Sequence, residues 1–230
     1  MDFFMKLRFQ VSGFKFPAII LASSSPRRRE FLKQLGLSFK VVPPRVDEQP
    51  EKREEPGHFA WRLAVDKALD VASRVGPRPI VIAADTIVVL GKTILGKPKD
   101  EVDARRMLKM LSGRGHEVIT GVCVMQGRKK RSFVTSTDVE FKKLTTQEID
   151  FYVASGEPMD KAGAYAIQGI GSFLVRSIRG SYTNVVGLPV AELLDVLERE
   201  FKVPLFGKTA VQSPKSKVQS QTQKTLDLGL

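Results

Sequence analysis

Three serines run straight into three arginines at Ser23-Ser24-Ser25-Pro26-Arg27-Arg28-Arg29. Before them, Ala18 to Ala22 is an apolar run of strand type; after them, Phe31, Leu32 and Leu35 recur at helical spacing, with Gly36 as a natural stop. Ser25 suits the N-cap and Pro26 the first helical position, where its missing N–H would have had no partner anyway. Hydroxyls delivered by a strand to a helix start, with arginines on the first turn, have the makings of an anion site. Free backbone N–H groups and the helix dipole favour phosphate, and a guanidinium adds a bidentate donor. Three cations there otherwise oppose the dipole, so a merely solvated basic turn is the poorer reading.

The remaining candidates are two carboxylates and two lysines. Pro79 to Asp85 is a near-continuous apolar run ending in a carboxylate, which reads as a strand buried on both faces with Asp85 at its C-terminal end, where open α/β sheets place ligands. Glu48 lies in a loop behind Pro43-Pro44. Lys67 shares a four-residue spacing with Leu63 and Val71, so it sits on or beside an apolar helical stripe, where a lysine either snorkels outward or reaches an anion. Lys97 follows Gly96 in a turn. Hard oxygen ligands such as Glu48 and Asp85 suit Mg²⁺, and cations flanking them suit in-line displacement at phosphorus. A desolvated Asp85 is also placed to take a proton from water. No glycine-rich Gly-Lys-Ser/Thr loop is present, which excludes a P-loop enzyme.

The elements that must position these residues follow in order. Phe39 to Val42 reads as a second strand and His58 to Arg74 as a helix; Thr86 to Leu90 stays extended, and Ile94-Leu95 returns after a turn at Gly91-Lys92. Asp100 caps a helix with Ala104, Met107, Leu108 and Leu111 inward, and Ser112 to His116 reads as a flexible loop able to wrap a ligand. Val118 to Met125 and Ser132 to Phe141 read as a hairpin around the basic tip Gly127 to Arg131. Thr145 and Glu148 form a capping box for a helix ending at Gly156. Asp160 to Gly169 is rich in small residues that permit close backbone approach; Phe173 to Ile178 is a further strand and Pro189 to Phe201 a last amphipathic helix. Strands alternating with helices around a central hairpin argue an α/β fold with a mixed sheet. Residues 1–17 read as an N-terminal extension, 18–202 as the folded domain and 203–230 as a polar, disordered tail.

At 230 residues and 42% hydrophobic content the chain can bury a sizeable core. It has no apolar run of about eighteen residues and no cleavage-like end to its first segment, so neither a membrane span nor a signal peptide is expected. The single Cys123 lies in an apolar run, a core position in a reducing compartment; two histidines leave little material for histidine metal sites or Ser/His/Asp triads. The net charge of +12 includes +2 from residues 1–17 and +3 from residues 203–230. The remainder suits nucleic acid and a nucleotide's phosphates equally well.

Four ordered motifs carry a resemblance: Leu21-Ala22-Ser23-Ser24-Ser25-Pro26-Arg27-Arg28, Ala84-Asp85-Thr86, Gly96-Lys97-Pro98, and Asp160-Lys161-Ala162-Gly163-Ala164-Tyr165-Ala166-Ile167-Gln168-Gly169. Over about residues 18 to 200 the chain resembles the Maf family of nucleoside triphosphate pyrophosphatases, also called septum-formation-inhibitor homologues. The resemblance implies an elongated α/β fold related to the inosine triphosphate pyrophosphatases, with helices flanking a mixed sheet and a cleft between two lobes. It implies a cytoplasmic homodimer that hydrolyses a nucleoside triphosphate to monophosphate and pyrophosphate with a divalent metal cation, Mg or Mn. It assigns Ser25, Arg28, Lys67 and Lys97 to phosphate, Glu48 and Asp85 to metal, and Asp85 also as proton acceptor. Arg27, Thr86 and Gln168 match the specificity positions of the subgroup acting on dTTP and UTP, where the 7-methyl-GTP subgroup carries Trp, Gln and Glu. A glutamine amide can pair with the imide edge of uracil or thymine.

The competing reading is a septation-regulating binding protein acting through a protein or nucleic-acid partner. That reading needs a clustered basic face with interleaved aromatics; the basic residues are scattered instead, and the densest group is a hairpin tip without aromatics. A nucleoside triphosphate substrate, no stable nucleic-acid partner and no membrane are therefore expected.

Overall fold

A run as apolar as Ile80-Val-Ile-Ala-Ala needs partners on both edges and cover on both faces. In the computed structural model, which describes residues 17–205, it becomes β3 (Ile80–Leu90), the strand on which the fold is built. Along one edge β3 pairs antiparallel with β5 (Gly115–Gln126) from Val81↔Met125 to Val89↔Glu117. The other edge is shared. β1 (Ile19–Ala22) runs parallel to it as far as Ala22↔Ala83, and β4 (Thr93–Leu95) returns antiparallel from Val88↔Leu95 onward. Outside β1 lies parallel β2 (Phe39–Val41); outside β5 lie antiparallel β6 (Lys129–Phe141) and β7 (Val175–Arg179). The sheet is mixed and seven-stranded, with helices on its faces.

Two readings from the sequence are corrected here. Asp85 does not end a strand: β3 continues to Leu90, because β5 goes on pairing with it well beyond Asp85. What ends is β1. Between the last β1 partner, Ala83, and the first β4 partner, Val88, four residues of β3 have an open edge, and Asp85 and Thr86 lie in that gap. Ser112 to His116 is not a flexible loop either. Gly115 and His116 open β5, and His116 is buried at 5% exposure.

Alternation along β3 sends odd and even residues to opposite faces. The odd face, Val81, Ala83, Ile87 and Val89, lies under α2 (Pro56–Val75). That helix is set close by small residues: a Cβ on Gly121 would meet the Ala60 carbonyl oxygen at 2.2 Å, so only glycine lets helix and sheet touch backbone to backbone. On α2, Lys67 falls in the buried row with Ala60, Leu63, Ala64, Ala68 and Val71. The even face holds two separate cores. Ile80, Ile82 and Ala84 pack with α1 (Pro26–Gln34) and α6 (Val190–Arg199); Val88 and Leu90 pack with α3 (Glu101–Leu111) and α4 (Thr146–Ala154). Thr86 falls between them, beside the short helix α5 (Tyr182–Val186), which the sequence reading did not anticipate.

The expected caps form. Ser25 Oγ accepts from Arg28 N with Pro26 at N1, Asp100 Oδ1 accepts from Asp103 N at 2.8 Å, and the Thr145/Glu148 capping box is complete. Val203 and Leu205 are buried against the α6 core. Residues 1–16 and 206–230, which hold most of the expected N-terminal extension and tail, lie outside the described residues.

Candidate active site

The gap in the β3 edge opens into a cleft of about 530 Å³, and all nine residues singled out from the sequence line it: Ser25, Arg27, Arg28, Glu48, Lys67, Asp85, Thr86, Lys97 and Gln168. Because Asp85 and Thr86 alternate, each is served by a different face of the sheet.

On the odd face Asp85, 7% exposed, meets Lys67, 5% exposed. Lys67 Nζ donates to Asp85 Oδ1 at 2.5 Å and lies 2.6 Å from Glu48 Oε1. Two carboxylates from distant segments thus converge on one cation, brought there by the close approach of α2 at Gly121, the register partner of Asp85. Burial pushes the Glu48 carboxyl upward, but the hydrogen bond and charge of Lys67, with Lys97 and Arg28 behind, outweigh it and hold the group below its ordinary value. It therefore stays ionised at neutral pH. Lys97 is exposed on the rim, next to Gly96, whose carbonyl accepts from Gly163 N at 3.0 Å.

On the even face the start of α1 points into the cleft. Ser25 caps it, and Ser23, buried, accepts from Ser25 N at 3.2 Å. The two arginines behave differently. Arg28 is embedded: Nε donates to Gly187 O at 2.8 Å, Nη1 to Ala84 O at 2.8 Å and to Ser23 Oγ at 3.2 Å, and Nη2 to Thr86 Oγ1 at 2.9 Å. Ala84 O is a carbonyl that the gap between β1 and β4 leaves without a strand partner, so the guanidinium substitutes for one. Burial lowers the Arg28 pKa, with Asp85 opposing. Four of its five N–H groups are committed to the protein, which leaves one for phosphate. Arg27 remains at the mouth, donating to Val186 O at 3.3 Å and lying 3.7 Å from Asp160 Oδ2 across the cleft.

Gln168 stands exposed on the far wall, at the start of a 3₁₀ segment, Gly169–Leu174. That wall is fastened by residues the sequence reading missed. Glu157 accepts from Ile170 N and Gly171 N at 3.0 Å each and from Tyr152 OH at 2.9 Å, while Tyr152 OH accepts from Ala166 N at 3.0 Å. Burial opposes ionisation of Glu157, yet the three donors hold its pKa low. The visible signal was Gly156 followed by Glu157-Pro158, a helix stop whose acid had no assigned partner. Thr120 and Asn184, fully buried behind Thr86, were hidden inside an apolar run and an unanticipated helix.

Elsewhere the arginines pair with acids, as in Arg62–Glu54, Arg74–Asp70, Arg105–Asp150, Arg106–Asp103 and Arg179–Asp138.

The chain is similar to proteins described as dTTP/UTP pyrophosphatases. That of Anaeromyxobacter dehalogenans (strain 2CP-C) is 51% identical over 187 residues, covering 80% of this chain and 94% of the relative. That of Clostridioides difficile (strain 630) is 48% identical over 191 residues, covering 82% and 97%. A solved structure described as a nucleoside-triphosphatase, dITP/XTP pyrophosphatase, from Mycobacterium abscessus aligns with 79% of this chain and 96% of that one, at 15% identity and a TM-score of 0.42. The family model described as Maf-like protein matches residues 18–200, and with half the residues shared with the relatives above, this chain belongs to the Maf-like family.

Proposed function

We propose that the chain hydrolyses dTTP and UTP to the monophosphate and pyrophosphate. The observation that carries the reading is the cation position shared by Glu48 and Asp85 at the floor of a cleft whose facing wall is the arginine-bearing start of α1. The pyrimidine preference draws on Arg27, Thr86 and Gln168 lining the same cleft and on the substrates named for relatives about 50% identical.

A divalent cation fits this site. Lys67 already stands in for one, and the donor set is hard carboxylate oxygen. Glu48 and Asp85 would hold the ion; among the described residues no group of three or more acids, histidines or cysteines surrounds it, so phosphate and water oxygens would complete its shell. When bound, such an ion neutralises triphosphate charge and polarises a phosphoryl oxygen. The chain's own residues supply the rest. The N–H groups at the start of α1, Ser25 and the free N–H of Arg28 bind phosphate oxygens. Lys67 leaves the carboxylates for the triphosphate, and Lys97 closes on it from the rim. Asp85 takes the proton of a water that attacks the α-phosphorus in line; the bond to the β-phosphate oxygen breaks and pyrophosphate leaves with its charge matched by the lysines. The reading includes a homodimer in the cytoplasm; among the described residues no helix is long and apolar enough to cross a membrane.

The test is pyrophosphate release with Mg²⁺ or Mn²⁺ from UTP, dTTP, CTP, GTP and 7-methyl-GTP. Turnover of UTP and dTTP well above the others is expected. Preference for 7-methyl-GTP would overturn the substrate assignment, and silence on every nucleotide would overturn the enzyme.

A further inference from the structure

The boundary between the two even-face cores is a row of hydroxyls. Thr86 on β3 is in register with Thr120 on β5, and Thr137 on β6 lies opposite Val118, two residues beyond Thr135, the register partner of Thr120. Thr120 and Asn184 are 0% exposed and Thr137 1%. Asn184, from α5, ties the row together: its Nδ2 donates to Val118 O and Thr137 Oγ1, both at 3.0 Å. Interior hydroxyls cost stability unless paired, and here each has partners.

Those partners limit the protons to two arrangements. Arg28 Nη2 can only donate, and it donates to Thr86 Oγ1 at 2.9 Å. A backbone carbonyl can only accept, and Asn184 O takes the Thr120 proton at 3.3 Å. The 2.9 Å contact between Thr86 Oγ1 and Thr120 Oγ1 then has Thr86 as its donor. Were Thr120 instead to donate to Thr86, the Thr86 proton would go to Gly187 O at 3.3 Å. In either arrangement the Thr86 proton is held by the protein and Thr86 offers the cleft no O–H donor; in the first, set by the shorter contact to Thr120, Thr86 Oγ1 also keeps one lone pair, whereas in the second Arg28 and Thr120 fill both.

Resting on the pyrimidine reading above, we propose that Thr120 is a specificity-positioning residue that turns the Thr86 hydroxyl inward, so that the base meets an acceptor there. A uracil or thymine ring presents an N3–H donor, which an acceptor satisfies. Cytosine presents a bare N3, which finds no donor and loses its hydrogen bond. Thr120 touches no substrate; it acts through Thr86.

The test compares kcat/KM for UTP with that for CTP in the wild type, Thr120→Val, Thr120→Ala and Thr120→Ser, each checked for a cooperative thermal transition. Valine and alanine remove the nearer acceptor and leave the Thr86 proton only the longer contact to Gly187 O or a ligand in the cleft, and alanine covers the case in which a methyl in place of the hydroxyl prevents folding. The expected result is a UTP-to-CTP ratio lowered about tenfold or more in the valine and alanine variants, chiefly by a gain on CTP, and restored to within about threefold by serine. A purely structural role would lower both substrates together and leave the ratio alone. A wild-type preference for UTP that survives both hydroxyl-free variants overturns this inference and leaves the proposed function standing. A wild type without that preference overturns the dTTP/UTP assignment and this inference with it.

Discussion

Two buried titratable pairs lie on opposite faces of one sheet. Lys67–Asp85 sits on the odd face under α2, and His116–Tyr165, with His116 Nε2 2.8 Å from Tyr165 OH, sits on the even face inside the α3–α4 core. Both are nearly solvent-free, but their surroundings differ. The first pair is charged, has a second carboxylate 2.6 Å away, and opens onto the cleft. The second is packed edge to face against Phe141, with ring centroids 4.9 and 4.7 Å away, and His116 Nδ1 has no partner among the described residues. Burial pushes the His116 pKa down to about 4 and the Tyr165 pKa up, so both stay neutral. One pair is an ion pair beside a second carboxylate; the other is neutral and aromatic-packed, with Tyr165 also lining the cleft.

The largest expected effect breaks the charged pair chemically. Asp85→Asn keeps shape and burial and leaves Lys67 paired with Glu48, so folding survives while kcat/KM for UTP falls about 10³-fold. Thermal unfolding beside steady-state kinetics checks both halves. Next comes the neutral pair. An unfolded histidine titrates near 6.5 and the folded one near 4, so between these values the unfolded chain binds more protons and stability falls as pH falls. The loss is on the order of 3 kcal/mol, complete near pH 4 and absent above pH 6.5. Denaturant midpoints from pH 7 to 4 should show it, and His116→Phe should remove that part of the slope with UTP turnover at pH 7 unchanged.

A third substitution sharpens the contrast from the backbone. Gly121→Ala drives a methyl into the Ala60 carbonyl, forcing α2 outward. It should cost about 2 kcal/mol, as overpacking does. It should also reduce UTP turnover, because α2 carries Lys67; a stable variant with full activity would show that the closeness of the helix does not set the pair. The smallest effect is Tyr165→Phe. Its hydroxyl serves His116, so about 1 kcal/mol of stability goes and kcat/KM stays within about threefold.

Much of this was readable in the chain. Ser25-Pro26 marked the start of α1, Thr145 with Glu148 marked α4, and the spacing of Leu63, Lys67 and Val71 put a lysine in a buried row because local capping and periodicity are written in neighbouring residues. What stayed hidden depends on distant pairing. The apolar run to Asp85 and the extended Thr86 to Leu90 read as two stretches, and only the continuous pairing with β5 shows that they are one strand. His116 looked like loop because Gly113 and Gly115 flank it, while its place is set by Phe141 and Tyr165. The helix Tyr182–Val186 is five residues long, two of them valine, too short for any periodic signal. Arg28 and Arg27 are indistinguishable as letters. The open edge between Ala83 and Val88, which takes one arginine into the protein and leaves the other at the mouth, exists only once β1 and β4 have both docked on β3.

The most direct test is pyrophosphate release from UTP with Mg²⁺ by the wild-type chain and Asp85→Asn, compared at equal folded fraction. The account predicts turnover by the wild type and its near-complete loss in the variant with the melting transition retained. Equal turnover by both, or no pyrophosphate from the folded wild type, would contradict it.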